Sequence, residues 1–415
     1  MKRRRSTAGR RLSTITIDQV IAGGSNVLIA VLAARLLDTA LFGLFGLVFL
    51  VYAMVQQGAR SLVSEPLLLH PQEARERTGE VLGAGATLGL GLGVIVAAAA
   101  AGAWAWDHRL AHALVVLAVC MPLMSMQDLG RYLAFATQRP ANALILDLTW
   151  LGLQLGAVLA LAISGTHSLT WFIAAWAGSG AAAGAWVFWQ HRGSRLRRGR
   201  AWIATTWSYS WRYLLAGMAA SGSAVSGSFL LGAISGPKAL GALTGANLMT
   251  RPFTTLQIAA IASGVSEVAH DEQDRPTVLH HVRRTSTLTT AVALVMLVVL
   301  VTLPDALGRL VLGQTWEPAQ PLLLPTGLLI VEMGLITGPR SGLLGLRKVG
   351  SAMVIDLGQA ATLLTATVIG ALVDGAVGVA WAVAIGQLWV TAAWWVTFNR
   401  HLAHLPSNQQ GADPQ

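Results

Sequence analysis

The sequence predicts an all-α polytopic membrane protein, with about twelve transmembrane helices in two sets of six. Three observations carry this. Only 12% of the 415 residues are charged and 54% are hydrophobic, about half the charge of a soluble domain. Apolar runs recur at about 20 residues, the length at which a helix crosses roughly 30 Å of hydrocarbon. The basic residues fall almost entirely on one side of the resulting topology.

The first span, 15–37, follows the basic stretch "MKRRRSTAGRRL". It is too long for a signal-peptide core and lacks an A-x-A exit, so it reads as a transmembrane helix. Spans follow at 41–63 and 81–103. The "GLGLG" of Gly89 to Gly93 mimics a nucleotide loop but lies inside the third span. Gly85, Gly89 and Gly93 recur every fourth residue and form a small-residue stripe for close helix packing. Spans four to six fall at 110–133, 142–163 and 168–190. A basic linker, Gln190 to Tyr213, comes next. Its arginines suit anionic headgroups, and Trp202, Trp207 and Trp211 predict an interfacial helix lying flat before span seven. The remaining spans fall at 213–234, 240–264, 287–303, 320–338, 352–373 and 375–397. The predicted division is a lobe at 1–190, the linker at 191–212, a second lobe at 213–400 and a tail at 401–415. The longest outer loop, 304–319, is too short for a folded catalytic domain.

"TALFGLFG" at 39–46 can be laid on "KALGALTG" at 238–245, six spans apart. Repeats so separated share an orientation and are parallel, related by an axis along the membrane normal.

An even span count puts both termini on one side. With that side cytoplasmic, the outer residues among the 29 Lys and Arg are Arg35, Arg109, Lys238 and Arg309, and Arg251 lies within a span. The net charge of +10 is then a topology signal, and nothing further suggests nucleic-acid binding. The single cysteine, Cys120, excludes a disulfide or a CxxC metal site. There is no HExxH and no P-loop, so neither a metal nor a cofactor is expected.

Charges inside spans are costly and mark protein interiors or wet cavities. Here they are Asp18, Asp128, Asp147, Arg251, Glu332 and Asp356, with Arg60, Glu65 and Glu267 at inner ends. All lie at mid-depth or toward the cytoplasm, as a transporter loading a polar group from that side requires. Thr244, Asn247, Thr254 and Thr255 share a helical face with Arg251, which predicts a buried polar lining. Asp147, Trp150 and Gln154 make a second stripe, Gln19 and Asn26 a third, and Gln57, Arg60, Ser61 and Ser64 a fourth. Ser221, Ser223, Ser226 and Ser228 serve either packing or a pore. Arg251 either binds substrate or pairs with Glu332 or Asp147. Arg60 and Arg131 either contact substrate or snorkel to headgroups. Asp18 either couples a cation or favours the first turn of a helix. Pro252 removes a backbone bond beside Arg251, giving a hinge or a static kink.

"DQVIAGGSNVLIAVLAARLLDTALFGLFGLVFLVY" (Asp18 to Tyr52) and "GARSLVSEPLLL" (Gly58 to Leu69) resemble the opening of bacterial polysaccharide transporters of the O-antigen flippase type. Those belong to the multidrug/oligosaccharidyl-lipid/polysaccharide (MOP) flippase superfamily. The proline within "GANLMTRPF" is also similar to the family pattern. Asp38-Thr39 stands where the family usually has Gly-Pro, which predicts a softer turn. The resemblance implies two six-helix lobes, as parallel repeats, around a central cavity that opens alternately to each side. The implied cargo is an undecaprenyl-pyrophosphate-linked sugar carried across the bacterial inner membrane for surface polysaccharide synthesis, with both termini cytoplasmic. The polymerase and glycosyltransferases of that pathway are the implied partners. Arg251, Arg60 and Arg340 would contact pyrophosphate through paired hydrogen bonds. Asn247, Thr255, Asp147, Trp150, Gln154, Asn26 and Glu332 would line the cavity, and Pro252 would be the hinge. One rival is a cation-coupled multidrug exporter of the same superfamily, using Asp18 or Asp147. The other is a membrane glycosyltransferase or polymerase, which the scattered outer acids Asp38, Asp107, Asp305, Glu317 and Asp374 do not favour.

Overall fold

Apolar runs of this length must satisfy their own backbone hydrogen bonds in lipid, and a helix does so within one segment. The computed structural model describes residues 23–270 and 274–405, and among these every predicted span is helical and there is no strand. Asp18, Gln19, the basic tail and residues 406–415 lie outside the described residues.

Helix α1 covers Gly23–Leu36. α2 covers Thr39–Ala59 and runs through a π turn, Arg60–Ser64, into Glu65–Leu69. Then come α3 (Thr78–Ala103), α4 (His108–Ala136), α5 (Pro140–Ile163) and α6 (Leu169–Gln190). The continuous stretch Arg200–His270 breaks at Gly236, giving α7 (200–235) and α8 (237–270). α9 is Arg275–Val301 and α10 is Leu323–Gly345. Val349–Ala403 breaks at Asp374 and Gly375 into α11 (349–373) and α12 (376–403).

The breaks have local causes. Pro237 disfavours a helical residue before it, and Gly236 adopts φ +86°, which a residue without Cβ tolerates. Gly375 does the same at φ +54°. The turn between α1 and α2 is not soft. Asp38 takes an extended conformation and accepts a hydrogen bond from the Leu41 N–H at 2.9 Å, a helix N-cap. Asp107 caps α4 in the same way, accepting from the N–H groups of Arg109 and Leu110.

The chain divides into two compact units, residues 1–225 and 226–415. In the first, α3 and α4 pack backbone to backbone. A Cβ on Gly89 would lie 2.9 Å from the Pro122 carbonyl oxygen, and one on Gly93 2.9 Å from that of Ala118. A Cβ on Gly85 would overlap the Leu129 side chain. The glycine stripe is thus a packing surface. α4 and α6 meet as closely, with Gly184 against the Leu123 carbonyl.

The linker docks on the N-terminal end of α3. The Arg197 N–H donates to the Gly79 carbonyl at 3.0 Å, and Gly83 and Gly199 sit against backbone. No flat interfacial helix precedes span seven: residues 200–235 form one helix. Trp202, fully buried, belongs to the core with Leu82, Leu129 and Val187, whereas Trp207 and Trp211 are exposed. One face of α7's first turns is therefore packed inside the first unit rather than on a membrane surface.

In the second unit, α10 packs against α9. Gly334 and Gly338 abut the backbone of Thr290 and Val282. Val282, Leu343, Trp394 and Phe398 are core residues of this unit. The long loop between α9 and α10 is itself helical at Asp305–Leu312, with the buried Trp316 ring laid on Gly308.

Candidate functional site

Five helices of the first unit surround a cavity of about 270 Å³. α2 contributes most, because Phe49, Tyr52, Ala53, Gln56, Gln57 and Arg60 recur at helical spacing along one face. Ser25 and Asn26 enter from α1, Gln127, Asp128 and Arg131 from α4, Asp147 and Trp150 from α5, and Ser221 from α7. The π turn begins at Arg60: the Glu65 N–H reaches back to the Arg60 carbonyl. A single π turn inside an α-helix is a frequent mark of functional sites.

Charge dominates one wall. Arg60 grips Asp128 with two nitrogens: Nη2 donates to Oδ1 at 2.7 Å and Nε to Oδ2 at 3.0 Å. Asp128 is 1% exposed. Arg131 bridges the two carboxylates, with Nη1 3.9 Å from Asp128 Oδ1 and Nε 3.1 Å from Asp147 Oδ2. Gln127 Nε2 donates to Asp147 Oδ1 at 2.8 Å. Two guanidinium groups thus face two carboxylates, and their formal charges cancel. Removing charges from water is tolerable only with such pairing and hydrogen bonding.

Aromatic side chains make up more of the lining. Tyr52 meets Trp176 edge to face at 5.1 Å between centroids. Trp150 donates its indole N–H to the Trp176 carbonyl at 3.1 Å. Its polar tip is therefore occupied and its ring is held in place.

The predicted site residues divide between the units. Arg60, Asp147, Trp150 and Asn26 meet at this cavity. Gln154 does not line it: this residue is 1% exposed, and its Nε2 is buried without a hydrogen-bond partner. Neither does Arg60 snorkel, since Asp128 holds it. Arg251, Asn247, Thr255, Glu332, Arg340 and Pro252 all belong to the second unit.

The α8 stripe is not a buried lining. Asn247 and Thr255 are exposed and Arg251 is half-buried. The packed polar face of α8 is instead Thr250 and Gln257, the latter donating to the Met333 carbonyl at 2.7 Å and to Thr337 at 3.3 Å. Glu332 makes no ion pair with Arg251 among the described residues: its Oε2 is buried without a hydrogen-bond partner. Asp147, the other carboxylate proposed for Arg251, is bound by Arg131 and Gln127. Arg340 pairs with Asp356 at 3.1 Å and lies over the Trp394 ring at 5.3 Å. Pro252 keeps helical backbone angles, and the break in this segment is at Gly236. Around the proline, Thr250 donates to the Asn247 carbonyl, and Thr254 and Thr255 to that of Arg251, a common way to satisfy polar backbone in lipid.

Gln127 and Gln56 were not legible as site residues, and Arg131 was legible only as one of two alternatives, substrate contact or headgroup contact. Gln127, Asp128 and Arg131 crowd one turn of α4, and Gln56 stands beside the predicted Gln57–Arg60 stripe. A cluster of that density within an apolar run was the available signal.

Residues 31–321 match the family model described as polysaccharide biosynthesis protein. No curated protein matches the sequence significantly. Among solved structures, an inward-facing MATE family multidrug resistance transporter of the MOP superfamily superposes with TM-score 0.75 at 13% identity, covering 97% of this chain and 100% of that one. The lipid II flippase MurJ, in an inward closed conformation, gives 0.70 at 11% identity, covering 92% and 87%. A MOP superfamily transporter from Pyrococcus furiosus gives 0.60 at 11%, covering 95% and 96%. At such identities the likeness is one of fold. With the family match spanning most of the sequence, the chain belongs to the polysaccharide biosynthesis protein family and carries the membrane-embedded fold of the MOP superfamily's transporters and flippases.

Proposed function

We propose that this protein is a flippase that moves an undecaprenyl-pyrophosphate-linked oligosaccharide from the cytoplasmic to the outer leaflet of the bacterial inner membrane by alternating access. The carrying observation is the cavity of the first unit, read together with the family. Aromatic faces beside amides and hydroxyls suit a sugar, whose C–H faces stack while its hydroxyls hydrogen-bond. The similarity of fold to a lipid II flippase supports a cargo of lipid-linked glycan.

In this reading Asn26, Asp147 and Trp150 line the sugar site. Arg251, on α8 where the Thr254 and Thr255 hydroxyls donate to its backbone carbonyl, is a proposed pyrophosphate contact together with Arg60 and Arg340. Arg60 and Arg340 reach phosphate only by leaving Asp128 and Asp356. The polymerase and glycosyltransferases of the pathway are the proposed partners. The one-sided arginine distribution supports cytoplasmic termini.

Deletion of the gene tests this. Lipid-linked oligosaccharide should accumulate, with its glycan inaccessible to an impermeant glycosidase applied to spheroplasts. The second reading, a cation-coupled multidrug exporter, is favoured by the buried carboxylates Asp128 and Asp147 and by the fold likeness to MATE transporters. Unchanged surface polysaccharide on deletion, with drug resistance on overexpression, would decide for the exporter.

A further inference from the structure

Among the described residues, the cavity of the first unit holds four charged side chains, and each is already engaged. Arg60 closes on Asp128 through both Nε and Nη2. Arg131 reaches Asp128 and Asp147, and Gln127 completes Asp147. An acidic sugar entering here would need a cation, and taking Arg60 would strip a carboxylate that is 1% exposed. A cationic ligand meets the mirror problem, since it must draw Asp128 or Asp147 away from arginine. Either exchange leaves a buried charge unpaired, which is strongly unfavourable.

What the cavity does offer is uncharged. Gln56 is 1% exposed and lines the cavity, and among the described residues its amide oxygen has no hydrogen-bond partner. A buried acceptor left unpaired is costly, and a ligand hydroxyl would satisfy it. Phe49 and Tyr52 add aromatic surface, and the Trp150 ring is fixed by its own hydrogen bond to Trp176.

We propose that this cavity selects for an uncharged glycan unit and discriminates against uronic-acid and cationic sugars, with Gln56 as a specificity-determining acceptor and the Arg60–Asp128 pair as the electrostatic filter. The proposal rests on the reading that the chain handles glycans and specifies their class.

Two soluble probes test it on the purified full-length protein in nanodiscs: cellobiose, and cellobiouronic acid, which carries a carboxylate. Saturation-transfer difference NMR and calorimetry should show cellobiose binding at least tenfold more tightly. Gln56→Leu should weaken cellobiose binding about tenfold. Asp128→Asn, nearly isosteric, leaves Arg60 without its carboxylate and should shift the preference toward cellobiouronic acid. A thermal melt of each variant confirms that it is folded. Wild-type protein that binds the acid as well as the neutral sugar overturns the proposal. So does failure to bind either sugar, or an Asp128→Asn variant with unchanged preference.

Failure of the flippase reading is distinguishable. Selective binding of cellobiose without translocation of lipid-linked sugar removes the transport reading alone. Translocation without binding of either sugar removes this proposal alone.

Discussion

At the scale of single residues, the site is governed by the pairing of Arg60 with Asp128. Truncating one partner of a buried pair costs about 3–5 kcal/mol because it strands the other. Arg60 is about a third exposed and Asp128 hardly at all, so the loss depends on which partner remains. Arg60→Ala strands the buried carboxylate and should reduce stability by about 3 kcal/mol. Asp128→Asn strands the more exposed guanidinium and should cost less. The Arg60→Ala/Asp128→Ala double variant should be more stable than Arg60→Ala alone. Thermal unfolding in detergent, analysed as a double-mutant cycle, checks this, and strictly additive losses would contradict it. Arg251 invites a different comparison. If it holds phosphate, Arg251→Lys should keep part of the transport that Arg251→Ala loses, at equal abundance. Membrane fractions assayed for lipid-linked sugar supply that readout.

These residues were unequally legible. Asp147 and Trp150 stood out because polarity inside an apolar run is rare. Arg131 stayed open between a substrate contact and a headgroup contact, since nothing along α4 reveals that its partner Asp147 lies on α5. The exposure of Asn247 and Thr255 was equally hidden. A shared helical face shows that residues point one way, but not whether another helix covers them.

At the scale of elements, backbone approach decides. Glycines at α3 and α6 divide into those pressed on a neighbour and those facing open space. A Cβ on Gly184 would overlap the Leu123 carbonyl, and one on Gly89 would stand 2.9 Å from that of Pro122. Gly91 and Gly178, on the same two helices, have nothing within 4 Å. Gly89→Val and Gly184→Val should each lose about 1–3 kcal/mol through overpacking, while Gly91→Ala and Gly178→Ala stay within about 0.5 kcal/mol. Melting temperatures of the four variants test this, and equal losses would contradict the packing. The helices themselves were legible from apolar run length, and the breaks at Gly236 and Asp374-Gly375 from their Gly and Pro content. The nature of the α7 start was not. Three tryptophans beside arginines look interfacial, yet Trp202 is buried against Leu82 and Leu129. That burial depends on the linker docking at Gly79 and Gly83, contacts between distant parts of the sequence.

At the scale of the whole molecule, the charge distribution makes a topology prediction. Cys120 is the single cysteine of the sequence, so a Cys120→Ser background accepts single reporters. Cysteine at Arg195 should react with an impermeant maleimide only after the inner face is exposed, and cysteine at Arg109 in intact spheroplasts. The reverse pattern would invert the membrane orientation and with it the proposed direction of transport.

Fold and family support the central claim that this chain flips lipid-linked glycan, and one reconstitution tests it most directly. Purified protein in proteoliposomes is given undecaprenyl-pyrophosphate-linked oligosaccharide in both leaflets, and the outer pool is removed with an impermeant glycosidase. The protected half should become digestible over time with wild-type protein, and slowly or not at all with Arg251→Ala. Wild-type protein that leaves the inner half protected, while folded by its thermal melt, would contradict it.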